Sequence, residues 1–139
     1  MKYTAKGVAT SDEAHRIILF DGRFDTAFRI TKFDVTPPQP VGTYELQGKL
    51  TTTEDYSGTT WNWGDNREIG WVVWGVPSNN QVNYNSWVDP DNLVVEDLYI
   101  QIYSTSGSSL EFNYMIEMEK VDISDSKGAL TMVRNRSQA

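Results

Sequence analysis

No cysteine occurs anywhere in the 139 residues. Disulfide frameworks, thiolate nucleophiles and cysteine-based zinc or iron–sulfur sites are excluded with it, and nothing in the chain calls for an oxidising compartment. Histidine is nearly as scarce, with His15 the only one. A Ser-His-Asp relay would have to run through that residue, which sits beside Asp12 and Glu13 with no nucleophile-elbow motif in the chain. A surface histidine is the expectation. Cations are few, 12 Lys and Arg against 19 Asp and Glu, for a net charge of −7. No nucleic-acid partner is expected from that balance, because phosphate binding relies on clustered lysine and arginine. The longest apolar run, 71–77, falls far short of the roughly 20 residues of a membrane span. The opening MKYTAKGVATSDEAHR has no apolar stretch of the kind a secretory signal needs. The expectation is a soluble chain, made and used without export and without a membrane partner.

What the chain does have is aromatic and β-branched content. Aromatics make up 12% of the residues, which leans towards strands. Read at period two, the sequence predicts strands over 2–8, 16–20, 24–35, 43–53, 68–76, 93–103 and 110–118. A short additional strand at 82–88 lies within the Asn-rich excursion 77–92. In 24–35, Phe24, Phe28 and Ile30 fall on one face and Phe33 and Val35 on the other, a phase switch that predicts a bulge. The cleanest alternation places Leu110, Phe112, Tyr114, Ile116 and Met118 on one dry face. In 93–103, Val94, Leu98, Ile100 and Ile102 are predicted inward and Val95, Tyr99 and Tyr103 outward. Seven or eight strands with no interleaved helices indicate an all-β, antiparallel two-sheet β-sandwich, jelly-roll-like, with an Ig-like arrangement as the other option.

This sandwich is expected over 1–123, followed by a C-terminal helix and tail at 124–139. Ser124 is a good N-cap, and Arg134 and Arg136 suit the negative end of a helix over 125–136. The tail carries net +2 while the rest of the chain carries −9. Its apolar stripe of Ala129, Leu130 and Val133 is small, so docking on a neighbouring subunit is expected.

Four of the five tryptophans fall between 59 and 76, in TTWNWGDNREIGWVVWGV. Alternation assigns Ile69, Trp71 and Val73 to the core and leaves Val72, Trp74 and Val76 on the opposite face. An apolar row there calls for a cover. The 77–92 loop could supply it, or a subunit interface made with Tyr99, Tyr103, Leu130, Val133, Arg134 and Arg136. A third reading is a glycan platform in which Trp61, Trp63 and Trp87 stack on sugar rings, with Asn62, Asp65, Asn66 and Arg67 supplying hydrogen bonds.

Candidate chemistry is thin. Glu117 and Glu119 project from one strand face roughly 7 Å apart, near the spacing of paired glycosidase carboxylates. Alternating glutamates on a wet face are more often solvated, and no catalytic residue is expected. Asp89, Asp91 and Asn92, or Asp122 and Asp125, could offer oxygens to calcium. Neither follows the spacing of a dedicated loop, so no metal and no cofactor are expected.

Three segments carry a resemblance: RIILFDGRFDTAFRITKFDV, WNWGDNREIGWVVWG, and DNLVVEDLYIQIYS with LEFNYMIEMEKVDISDSKGALTMVRNRSQ. They resemble small virion structural proteins of bacteriophages, especially marine ones. The resemblance implies a β-sandwich capsid cement, decoration or coat protein, or a piece of a fibre. It further implies assembly in the host cytoplasm, residence in the virion, and contacts with copies of itself and with other capsid proteins.

Overall fold

The computed structural model describes residues 2–19, 26–38, 45–54, 60–75, 83–105 and 110–122. Within them lie eight strands: β1 (Lys2–Thr10), β2 (Ala14–Ile17), β3 (Thr26–Thr36), β4 (Leu46–Thr51), β5 (Glu68–Gly75), β6 (Asn83–Val88), β7 (Leu98–Ser104) and β8 (Glu111–Asp122). Two antiparallel sheets result, one ordered β1-β8-β3 and the other β2-β7-β4-β5-β6. Early strands pair with late ones, β1 with β8 and β2 with β7, while the neighbours in sequence β1 and β2, β3 and β4, and β7 and β8 sit in opposite sheets. That is the wrapping of a jelly roll, so the expected antiparallel sandwich is the fold. The predicted helix 125–136, and with it Leu130, Val133, Arg134 and Arg136, lies outside the described residues, as does Val76.

The three-stranded sheet follows its sequence pattern closely. Phe112, Ile116 and Met118 are buried in the core, with Leu110 and Tyr114 packed at its margin. The predicted bulge in β3 is present: pairing with β8 shifts between Ile30 and Lys32, leaving Thr31 as the extra residue. Because of that extra residue, Ile30 and Phe33 both reach the core despite their odd spacing. On the wet side of the same sheet Glu119 faces Arg29 at 3.7 Å and Glu117 faces Lys32 at 3.7 Å. The carboxylate pair belongs to a cross-strand charge ladder.

In the five-stranded sheet the predicted faces of β5 are reversed. Pairing of β4 with β5 shifts between Leu50 and Thr51, so that Leu50 opposes Gly70, Thr51 opposes Glu68 and Ile69 is the extra residue. A bulge flips the phase of everything after it. Ile69 stays in the core, but Gly70, Val72 and Trp74 then point inward while Trp71 and Val73 point outward. Val72 is fully buried, and a Cβ on Gly48 would come within 2.7 Å of its Cγ1. A Cβ on Gly70 would lie 3.1 Å from both Leu50 of its own sheet and Phe33 of the other, so the two sheets approach closely here. Val72 is therefore a core residue and no part of an interface. Trp74 is half-buried, packs on the core and meets Tyr84 edge-on at 5.5 Å.

Two other expectations are corrected. Val95, predicted outward, is buried, because residues 93–95 form a bridge region in which Val94 exchanges backbone hydrogen bonds with Phe28. His15 is half-buried rather than a surface residue, its ring 5.4 Å from that of Tyr114 between the sheets. At the other margin, β6 pairs with β5 at the sheet edge, and Tyr84 Oη donates to Asp34 on β3. Burial, reinforced by that bond and by the Asp34 charge, pushes the Tyr84 phenol well above its usual range.

Candidate functional site

The outer face of the five-stranded sheet is where the tryptophans meet. Register places Trp71 beside Lys49 on one neighbour and Trp87 on the other, all three pointing away from the core. A bare sheet face would leave Trp71 wet. Residues 60–67 instead fold back across it, and Trp63 lies over Trp71 with ring centroids 5.4 Å apart. Trp87 completes the cluster, 5.9 Å from Trp63 and 6.1 Å from Trp61.

The covering loop is held by an uncommon set of buried polar groups. Lys49 and Glu68 are both buried beneath it, their charged atoms 3.6 Å apart. Lys49 Nζ donates to the Thr60 carbonyl at 3.0 Å. Glu68 Oε1 accepts from the Asn62 amide at 2.9 Å and from Trp71 Nε1 at 3.0 Å. The carboxylate thus ties the loop to the sheet through Asn62 and fixes the Trp71 indole on its own strand.

Within the loop, the Asp65 carboxylate accepts from the backbone and guanidinium of Arg67, Nη2 at 2.8 Å. Burial acts to raise the Asp65 pKa, but the hydrogen bonds and charge of Arg67 outweigh it and hold the carboxyl below its ordinary value. Thr52 N donates to the Arg67 carbonyl at 2.8 Å, and Asn92 Nδ2 donates to that of Asn66. The loop is anchored on both flanks.

Such anchoring matters because what the loop presents is apolar. Trp63 is 60% exposed and Trp87 41% exposed. Trp61 is half-buried, with its Nε1 enclosed and lacking a hydrogen-bond partner. Along β6 the exposed positions alternate as Asn83, Asn85 and Trp87, so two side-chain amides continue the face from the indoles. Register sets Asn85 beside Val73, Val73 beside Gln47, and Gln47 beside Tyr103. At this end of the sheet a cleft of about 370 Å³ opens, lined by Glu45, Gln47, Val73, Gly75, Tyr103 and Thr105 together with Leu46 and Trp74. Gln47 Nε2 is enclosed there without a hydrogen-bond partner among the described residues.

Of the residues expected to form an interface, Tyr99 and Tyr103 do lie on this outer face, both half-buried on β7. Val72 and Trp74 do not. Trp61, Trp63 and Trp87, the expected glycan platform, are brought together although 24 residues separate Trp63 from Trp87. Asn83 and Asn85 were missed, yet the alternation NYNSWV carries the signal that places them with Trp87. Lys49 and Glu68 gave no comparable signal, since a charged residue on a predicted outward face reads as solvated. Of the calcium candidates, Asp89 Oδ1 accepts from Asp91 N at 3.1 Å and Asn92 holds the loop, while Asp125, the partner expected for Asp122, lies outside the described residues. Among the described residues no group of three or more acidic or histidine side chains converges on a metal position, and no helix is long and apolar enough to cross a membrane. Compared with protein-family models, curated proteins and solved structures, the chain has no match.

Proposed function

We propose that the protein is a non-enzymatic structural component of a bacteriophage particle, a jelly-roll decoration or coat module that works by contact. The observation that carries this reading is the pair Trp63 and Trp87, exposed side by side, Trp87 on β6 and Trp63 on a loop pinned by the buried Lys49–Glu68 pair. Apolar surface held rigidly in water costs solvation free energy, and exposed indoles of this kind are the residue type that dominates contact sites. Polar groups that could serve catalysis are engaged elsewhere. Glu117 and Glu119 face Lys32 and Arg29, and His15 lies against Tyr114. The likeness of three sequence segments to small virion proteins supports the same reading. In this reading the contact face is the tryptophan face and not that of Val72 and Trp74, which turn towards the core.

In this reading the protein resides in the virion, among other capsid proteins and further copies of itself. Its net charge of −7 keeps unassembled chains apart through mutual repulsion. Antibodies raised against the purified chain, used for immunogold labelling of a phage whose genome encodes it, test the proposal. Regular label on intact particles is the expected result. Label confined to lysate, with particles bare, overturns it.

A further inference from the structure

The geometry points to an uncharged oligosaccharide as what the tryptophan face binds, lying from Trp63 and Trp87 along β5 and β6 into the cleft at Gln47 and Tyr103. This inference rests on the contact role proposed above and names its ligand class. Three observations carry it.

The first is size. Trp63 and Trp87 at 60% and 41% exposure offer together about 250 Å² of indole surface, taking about 250 Å² for a whole tryptophan. A stable protein interface needs about 800 Å² from each partner. The apolar patch is too small to hold a second copy by itself, and like net charges oppose that copy. A sugar ring, whose polarised C–H edges suit the negative face of an indole, matches the patch in size.

The second is the rim. Asn83 and Asn85 are exposed on the same face as Trp87, and Asn62 is exposed beside Trp63, its Oδ1 accepting from Gly64 N at 3.1 Å. A primary amide donates and accepts at once, as vicinal hydroxyls require, and carries no charge. The cationic and anionic groups of the loop, Arg67 with Asp65 and Lys49 with Glu68, are already paired to each other.

The third is the cleft. It begins at Val73, one outward position or roughly 7 Å along β5 from Trp71, and holds Gln47 Nε2 enclosed without a partner among the described residues. Gln47, Tyr103 and Thr105 in its lining offer hydrogen-bonding side chains for the hydroxyls of a further sugar ring. The platform and the cleft together define an elongated site, and so an oligosaccharide rather than one sugar. The pinned loop presents its indoles without an ordering cost on binding.

Isothermal titration of the full chain with neutral hexasaccharides of glucose, mannose and galactose, alongside the free monosaccharides, tests this. At least one hexasaccharide should bind and shift tryptophan emission, and its monosaccharide should bind far more weakly. Trp63→Ala should weaken binding about tenfold, the size of one stacking contact, and Trp63→Phe should restore part of it. Gln47→Ala should weaken the hexasaccharide and leave the monosaccharide unchanged. Absence of binding by every hexasaccharide at millimolar concentration, with the circular dichroism of the chain intact, overturns the inference. So does binding that Trp63→Ala leaves unaltered. Particle labelling reads the structural role independently, so either conclusion can fail without the other.

Discussion

Lys49 Nζ lies 3.6 Å from Glu68 Oε2 on the outside of a β-sheet, and both residues are buried. The tryptophan loop makes this possible by roofing the pair. Replacing Glu68 by Gln leaves the ammonium buried without its counter-charge, and removing one partner of a buried pair costs about 3–5 kcal/mol. The double variant Lys49→Met/Glu68→Gln should recover much of that loss. Urea denaturation of the three chains measures both effects.

Gly48 tests which way β5 faces. Its Cβ would meet Val72 at 2.7 Å, so Gly48→Ala should destabilise by about 1–3 kcal/mol, the usual cost of overpacking a core. Adding Val72→Ala should relieve the clash, so the two changes should fall short of additive. Thermal melts of the single and double variants decide the matter. A neutral Gly48→Ala would return Val72 to the surface.

Acid should loosen the loop before it unfolds the sandwich. Asp65 is held below its ordinary pKa by Arg67, against the opposing pull of burial. A carboxyl depressed in the folded state contributes stability that is present above its unfolded pKa, about 3.9, and is lost as pH falls through the folded value. Tryptophan emission should therefore show a step below pH ~4 that precedes loss of far-ultraviolet circular dichroism. Asp65→Asn should abolish that step.

The two glutamates with glycosidase-like spacing should prove dispensable for stability. Their partners are partly exposed, and surface pairs contribute about 0–1 kcal/mol. Glu117→Gln and Glu119→Gln should each shift the urea midpoint by no more than that implies. Phe112→Ala, on the opposite face of the same strand, should cost about 3–5 kcal/mol.

Legibility in the sequence followed the bulges. In β8, where pairing is regular, alternation alone placed Phe112, Ile116 and Met118 inside. In β3 a conflict of phase between Ile30 and Phe33 announced the extra residue, because hydrophobic side chains appeared on both parities. In β5 the same irregularity was silent. Ile69, Trp71 and Val73 are all large and apolar, and so are Val72 and Trp74, so either parity looks like a core face. The outcome turned on Gly70, whose missing side chain lets Phe33 approach from the other sheet, and on Gly48, which makes room for Val72 on the neighbouring strand, steric facts visible only once the strands are paired and packed. The tryptophan site was legible in its members but not in its scaffold. Trp61, Trp63 and Trp87 stood out as residue types, whereas the roofed Lys49–Glu68 pair depends on a loop crossing a sheet.

The pairing of β1 with β8, Lys2 opposite Glu119 and Thr10 opposite Glu111, has a consequence for synthesis. Strand β3 also takes β8 as its neighbour, so both outer strands of the three-stranded sheet wait for the same late segment. During translation β1 to β7 leave the ribosome before β8, so β1 and β3 lack the strand that joins them. Hairpins β4–β5 and β5–β6, being local, can form early; the opposing layer cannot close until β8 has emerged. Folding dominated by such distant pairings is slow, on the order of milliseconds to seconds. The nascent chain is therefore most aggregation-prone just before β8 emerges, and the arrival of that single strand ends the interval.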